Sequence, residues 1–167
     1  MRQIRIGLIY KTKISLLEKT LSALDVLVQL VSLDIFYHFV YNLGIAYSAT
    51  ATYFTYSDEG LIMIDITTSA DKKLKVVDDA KKILVNLKTD SESLSKIRDM
   101  LIGQYTINLE DVREKTRFVS SRYIETGRVI SIKKWLCLLE KVSNKEVTDL
   151  KKRIFGKKPL VVTLSIH

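Results

Sequence analysis

Residues 44–65 read GIAYSATATYFTYSDEGLIMID, and this stretch decides the fold. Ile45–Tyr56 and Leu61–Thr68 are two runs rich in β-branched and aromatic residues, which suit a pleated, half-buried surface. Between them stands Ser57-Asp58-Glu59-Gly60, where Asp58 can bond its own downstream backbone and Gly60 can turn the chain, so the pair reads as a hairpin. In the second run Ile62, Ile64 and Ile66 alternate with Met63, Asp65 and Thr67, giving one apolar and one more polar face. The same rule puts Ile45, Tyr47, Ala49 and Ala51 on one side of the first run, with Ala46, Ser48, Thr50 and Thr52 on the other. A lone hairpin is not stable in water, so the rest of the chain has to cover the isoleucine face.

Upstream, QIRIGLIY at residues 3–10 predicts a strand with Ile4, Ile6 and Leu8 on one face. Ser15 and Glu18 form a capping-box pattern at the start of a helix. Leu17, Leu21, Leu24, Leu27 or Val28, and Val31 follow at helical spacing. A second helical piece covers Asp34–Asn42, and Gly44 closes it as a C-cap.

Downstream, helical periodicity dominates. Asp71–Leu87 carries Val77, Ala80, Leu84 and Leu87, and a helix opened by Asp90-Ser91-Glu92 carries Leu94, Ile97, Leu101 and Tyr105. Glu110–Thr126 is expected to bury Val112, Thr116, Val119 and Tyr123, with Gly127 as its stop. Ile130–Val142 holds the only tryptophan, Trp135. Ser143-Asn144-Lys145-Glu146 caps a further helix with Val147, Leu150 and Ile154, ending at Gly156. Pro159 breaks the pattern before an alternating last strand, Leu160–Ile166.

Strands clustered early and helices clustered late predict an α+β fold, an antiparallel or mixed sheet covered on one face by helices. The length fits one domain over residues 1–167: strand 3–10, helices 15–42, hairpin 44–68, helices 71–156 and strand 160–166.

The chain is 47% hydrophobic and 28% charged, with one proline, a composition of ordered rather than disordered protein. Its single cysteine, Cys137, excludes an internal disulfide and fits a reducing compartment. Arg2 and Arg5 interrupt the first ten residues where a secretory signal would be apolar, and Asp25, Asp34, Asn42 and Gly44 break the stretch 23–51 where a membrane span could lie. These features set the expectation of a cytoplasmic protein without a membrane segment.

The formal charge of +8 concentrates in Lys72, Lys73 and Lys75, in Lys81 and Lys82, and in Lys151, Lys152, Arg153, Lys157 and Lys158. A nucleic-acid surface is one reading. Acidic residues are interleaved with these lysines and no glycine-rich or aromatic nucleic-acid motif accompanies them, so solvated helix faces are preferred.

The inventory for catalysis is poor. His38 and His167 have no partner at metal-ligand spacing, and there is no second cysteine for Cys137. His38 is expected to be a half-buried structural residue, and Cys137, beside Trp135, a small buried hydrophobe. No nucleophile elbow or phosphate-binding glycine loop occurs.

Leu43-Gly44-Ile45-Ala46-Tyr47-Ser48, the Asp-Glu-Gly turn and the strand LIMIDI together resemble the GLAYSV hairpin of the pitrilysin-type zinc metallopeptidases, family M16. QIRIGLIY resembles that family's first strand, Ser93–Arg98 one of its helices, and Ser143–Val147 the helix start before its last strand. The resemblance implies a metallohydrolase half-domain of the mitochondrial-processing-peptidase type. Such half-domains work in pairs around a peptide-binding chamber. One half carries HxxEH on its first helix, and the other grips the peptide with an arginine and a tyrosine seven residues apart.

Residues 15–33 contain no histidine, so the chain resembles the non-catalytic half. Tyr47 then stands at the position of the gripping tyrosine, and Val40 occupies that of the arginine. A valine cannot donate to a peptide carbonyl. The alternative for Tyr47 is an ordinary strand aromatic packed on Tyr53.

What the resemblance implies is a small subunit that binds no cofactor and has no catalytic residue. Zinc is expected in a partner subunit, with which this chain forms a heterodimer that holds a peptide substrate. The alternatives are a self-associating scaffold or assembly subunit, which the loss of arginine at position 40 favours, and a basic nucleic-acid-binding protein.

Overall fold

The structure, a computed structural model, describes residues 2–13, 18–55 and 60–165. The predicted Ser15–Glu18 capping box, Leu17 of the apolar stripe, the hairpin tip at Ser57–Glu59, Ile166 and His167 therefore lie wholly or partly outside the described residues.

Four antiparallel strands form one sheet in the order β2-β3-β1-β4. They are β1 Gln3–Thr12, β2 Ala46–Thr55, β3 Gly60–Ser69 and β4 Leu160–Ser165. The hairpin supplies β2 and β3; β1 pairs with β3 on one side, Ile6 opposite Ile66 and Leu8 opposite Ile64. On its other side β1 takes the last strand, with Leu8 opposite Val161. The first and last strands of the chain are therefore neighbours, and β2 and β4 are the sheet edges.

Period-two alternation sends Ile4, Ile6, Leu8, Tyr10, Ile62, Ile64 and Ile66 to one face, all buried. Burying each of these side chains stabilises the fold by about 1.5–3 kcal/mol. The opposite face carries Arg5, whose guanidinium grips Asp65 at 2.7–2.8 Å across the β1–β3 pair, together with Met63 and Thr67.

Six α-helices lie among the described residues. They are α1 Glu18–Phe36, α2 Lys73–Asn86, α3 Ser91–Asn108, α4 Val112–Thr126, α5 Ile132–Glu140 and α6 Asn144–Phe155. α1 lies against β2 and is itself wrapped by α3, α5 and α6. That position explains why Leu21, Leu24, Val26, Leu27, Leu30 and Val31 are buried around most of its circumference. Thr20–Asn42 is long and apolar enough to cross a membrane, and more than half of it is covered within the fold.

Start signals act as read. Asp90 accepts from the Ser93 backbone N–H, and Ser143 and Glu146 form a complete capping box. Gly127 ends α4 at φ 68°, a left-handed conformation that glycine adopts without a Cβ clash.

Four local expectations are corrected. Asp34–Asn42 is not a separate helix: α1 runs on to Phe36 and then widens into a π-helical turn, Tyr37–Asn42. In β2 a bulge between Ala46 and Ser48 gives Tyr47 no partner in β3 and reverses the alternation. Ala46 is therefore buried on the same side as Ala49, while Tyr47 turns outward.

On α4 the buried residues are Phe118 and Arg122, while Val112 and Tyr123 face solvent. The apolar stripe lost to a face on which Arg122 finds an ion pair and two aromatic rings. Cys137 is exposed, because Trp135 and Leu139 take the buried side of α5 and residue 137 points away from both.

Candidate functional site

Two places gather polar or aromatic side chains. The first is inside the fold, where α1, β2, α3 and α4 meet. Asp25 sits on the buried side of α1, one residue after Leu24, and is only 7% exposed. An unpaired carboxylate there would cost several kcal/mol, so partners have to arrive from other elements.

They do. Tyr53 of β2 donates its hydroxyl to Asp25 Oδ1 at 2.5 Å, and Tyr105 of α3 donates to Oδ2 at 2.8 Å. Arg122 of α4, 6% exposed, brings Nη2 to 3.5 Å from Oδ2. Its Nη1 donates to Glu125 Oε2 at 2.8 Å, and Thr55 donates to the other oxygen of Glu125. The guanidinium carbon lies 4.0 Å above the Trp135 ring centroid, a cation–π contact on its remaining face.

Burial raises the pKa of Asp25 above the ordinary carboxylate value, against the opposing pull of Arg122 and of the two tyrosine donors. Burial, and then the charge of Asp25, raises Tyr53 well above the usual phenol value, and Tyr105 moves the same way. Burial disfavours the charge on Arg122, but Tyr53, Asp25 and Tyr105 outweigh it, so the guanidinium stays charged. A cleft of about 350 Å³ lined by Gln29, Gln104 and Asn108 reaches down to Asp25, Tyr53 and Tyr105.

The second place is on the surface, where the π-helical turn hands over to β2. The backbone N–H of Ile45 donates to the Phe39 carbonyl, and Thr68 Oγ1 donates to the Ile45 carbonyl, so the start of β2 is tied to both neighbours. Gly44 makes the junction at φ 57°. Tyr47, two residues on, is 58% exposed.

Val40 packs against the core. Tyr53, the alternative packing partner for Tyr47, points to the opposite side of the sheet and is committed to Asp25. His38, half-buried on the same turn, sets its ring edge-on against Phe39 at 4.8 Å.

Among the described residues no three His, Cys, Asp or Glu side chains stand close enough to hold a metal ion. The Asp25 centre offers two carboxylates, but a guanidinium lies between them, and this donor set does not fit a cation. Reading the sequence linearly missed this centre. The available signal was Asp25 itself, a charge on the apolar face of a helix, which buried surroundings tolerate only when a counter-charge meets it.

Part of the basic excess has structural work. Lys81 and Lys82 approach Asp78 and Asp79, Lys151 donates to the Leu87 carbonyl at the end of α2, and Arg153 donates to the Lys13 carbonyl.

With the geometry in place, the chain can be compared with known proteins. No curated protein matches it. Among solved structures, a peptidase M16 inactive domain from Pseudomonas fluorescens superposes with a TM-score of 0.81 at 12% identity, covering 98% of this chain and 41% of that one. An inactive peptidase domain from Bordetella parapertussis gives 0.78 at 12% identity over 100% of this chain and 92% of that one. The periplasmic protease PqqL from Escherichia coli gives 0.73 at 14%, covering 97% of this chain and 18% of that one.

The chain thus spans well under half the length of the first and third of these proteins. At such identities the likeness establishes the fold alone. In sequence, the family model described as the peptidase M16 inactive domain matches residues 2–101, which include β1, α1, the hairpin and α2. That match covers more than half of the 167 residues, and the chain belongs to the M16 inactive-domain family.

Proposed function

We propose that this chain is the non-catalytic half of an M16-type zinc peptidase assembly, pairing with a zinc-bearing half to form a chamber that holds a peptide. The observation that carries the reading is Tyr47. On a fold of the inactive-domain family, its side chain is turned to solvent by a β-bulge at the position where the resemblance expects a peptide contact.

In the assembled pair, zinc on the partner would polarise the scissile carbonyl and activate water. This chain's own share is binding and orientation. The phenol of Tyr47 donates to a backbone carbonyl of the peptide, and the pairing of β2 with β3 holds that donor in place. The small residues Ser48, Thr50 and Thr52, exposed along edge strand β2, let an extended backbone approach closely.

The test is co-purification from the native source, with mass spectrometry of the complex and a zinc assay. A stoichiometric HxxEH-bearing partner, with peptidase activity that falls when Tyr47→Phe is introduced, is the expected result. Recovery of a zinc-free, self-associated species without such a partner overturns it. The second reading, an assembly subunit that no longer grips peptides, is favoured by one observation: Val40, half-buried in the core, offers no donor beside Tyr47.

A further inference from the structure

Two irregularities of the backbone flank Gly44, and each shifts the register of the chain. The π-helical turn Tyr37–Asn42 carries residues past the spacing of a regular helix, and the bulge at Tyr47 does the same for a strand. Aromatic side chains stand at the surface around them. Tyr37 is 52% exposed and Tyr41 76%, with Phe36 and Leu43 exposed beside them.

Phe36, Tyr37 and Tyr41 form a ladder of edge-to-face rings, each step 6.0 Å between centroids. Neither the Tyr41 nor the Tyr47 hydroxyl bonds another described group. The position with no donor, Val40, faces the core, and the residue immediately after it is the most exposed tyrosine of the patch.

Charge is spread unevenly along the chain. The chain carries +8 and is 28% charged, yet residues 35–57 contain no Lys, Arg, Asp or Glu. The helical end of this stretch exposes Phe36, Tyr37, Tyr41 and Leu43, whereas Tyr47 shares the outward face of the sheet with the Arg5–Asp65 ion pair. The exposed rings of the turn favour an uncharged, apolar side chain, because a charged one laid against them loses water.

From these observations we infer that Tyr41 makes the second contact to a peptide held by Tyr47. The two phenols donate to backbone carbonyls of one extended segment, and the Phe36–Tyr37–Tyr41 ladder receives an apolar or aromatic side chain of that segment. The inference rests on the proposed function and deepens it. Tyr41 is a positioning and specificity-determining residue that takes over the donor role arginine would have had, and the preferred substrate is an uncharged stretch of unfolded peptide.

The experiment is a ¹⁵N-amide NMR titration of the full chain with blocked peptides of sequence Gly-Gly-Ser-X-Ser-Gly-Gly, where X is Phe, Lys or Glu. The Phe peptide is expected to shift the amides of both Tyr41 and Tyr47, and to bind about 10-fold more tightly than the Lys and Glu peptides. Tyr41→Phe, which keeps the ring and loses the donor, is expected to weaken all peptides about 5-fold, and Tyr41→Ser to abolish the preference for Phe as well.

Shifts confined to Tyr47, with both Tyr41 variants binding like wild type, overturn the clamp and leave the proposed function standing. Equal affinity for the three peptides overturns the substrate class. A Tyr41→Ser variant that changes self-association, read by sedimentation, in place of peptide affinity makes the patch a contact between copies and overturns the inference. Absence of shifts at both tyrosines removes the clamp and the peptide role of Tyr47 together.

Discussion

Tyr53 and Tyr105 lie at one end of this molecule's chemistry and Tyr41 and Tyr47 at the other. The residue type is the same, and the backbone distance from Tyr47 to Tyr53 is only six positions along one strand. Tyr53 and Tyr105 spend their hydroxyls on a buried carboxylate that a guanidinium neutralises. Tyr41 and Tyr47 bond no other described group and stand exposed to water. The bulge between Ala46 and Ser48 is what separates them: without it, strict alternation would put Tyr47 and Tyr53 on the same face. One inserted residue sends one tyrosine to the interior and the other to solvent.

The comparison breaks most visibly at Arg122. Arg122→Ala leaves Asp25 charged, buried and without its counter-charge, and is expected to cost about 3–5 kcal/mol in urea unfolding. The double variant Asp25→Leu/Arg122→Met, which replaces the pair with apolar groups, is expected to recover most of that loss. A double variant no more stable than Arg122→Ala would show that packing over Trp135, and not charge pairing, is the main contribution of Arg122.

Next in size is Tyr53→Phe, which removes one donor to Asp25 and is expected to cost about 1–3 kcal/mol by the same measurement.

A pH series sharpens the contrast without mutation. Tyr10, buried edge-on against Phe155, has its pKa pushed up to about 12 by burial, and Tyr53 and Tyr105 are also raised. A phenol whose folded pKa lies above its unfolded value contributes stability that is fully present below the unfolded pKa, near pH 10, and is lost as pH rises through the folded value. Melting temperature is therefore expected to fall as pH increases from 10 toward 12. Tyr53→Phe should flatten that fall.

The smallest effect is the most discriminating. Tyr41→Ser and Tyr47→Phe are expected to change stability by no more than about 0.5 kcal/mol, as exposed sites do, and to act only on peptide binding. A loss above 1.5 kcal/mol for either would place that side chain with the buried tyrosines.

How far the sequence disclosed this arrangement depends on the range over which each signal acts. Alternation at Ile62, Ile64 and Ile66, the caps at Asp90 and Ser143 and the stop at Gly127 are local, and each is found where its spacing puts it. The pairing of β1 with β4 brings together residues 9 and 160, a separation no periodicity encodes.

The errors have a common cause. The π-helical turn, the bulge at Tyr47 and the choice of Phe118 and Arg122 over Val112 and Tyr123 on α4 are all settled by distant partners. The α4 stripe Val112-Thr116-Val119-Tyr123 is apolar, but burying Arg122 brings Asp25, Glu125 and Trp135 together, and tertiary pairing overrode the linear pattern. Cys137 was misplaced for a simpler reason: two residues from Trp135 along a helix is the far side.

The only tryptophan of the chain lies fully buried under a guanidinium. Its emission is therefore an optical gauge of the Asp25–Arg122 centre and of little else. Loosening of α4 should move the spectrum toward that of a water-exposed indole before the sheet melts, whereas occupation of the surface around Tyr41 should leave it unchanged. A single fluorescence trace can in this way tell a change in the interior from an event at the surface.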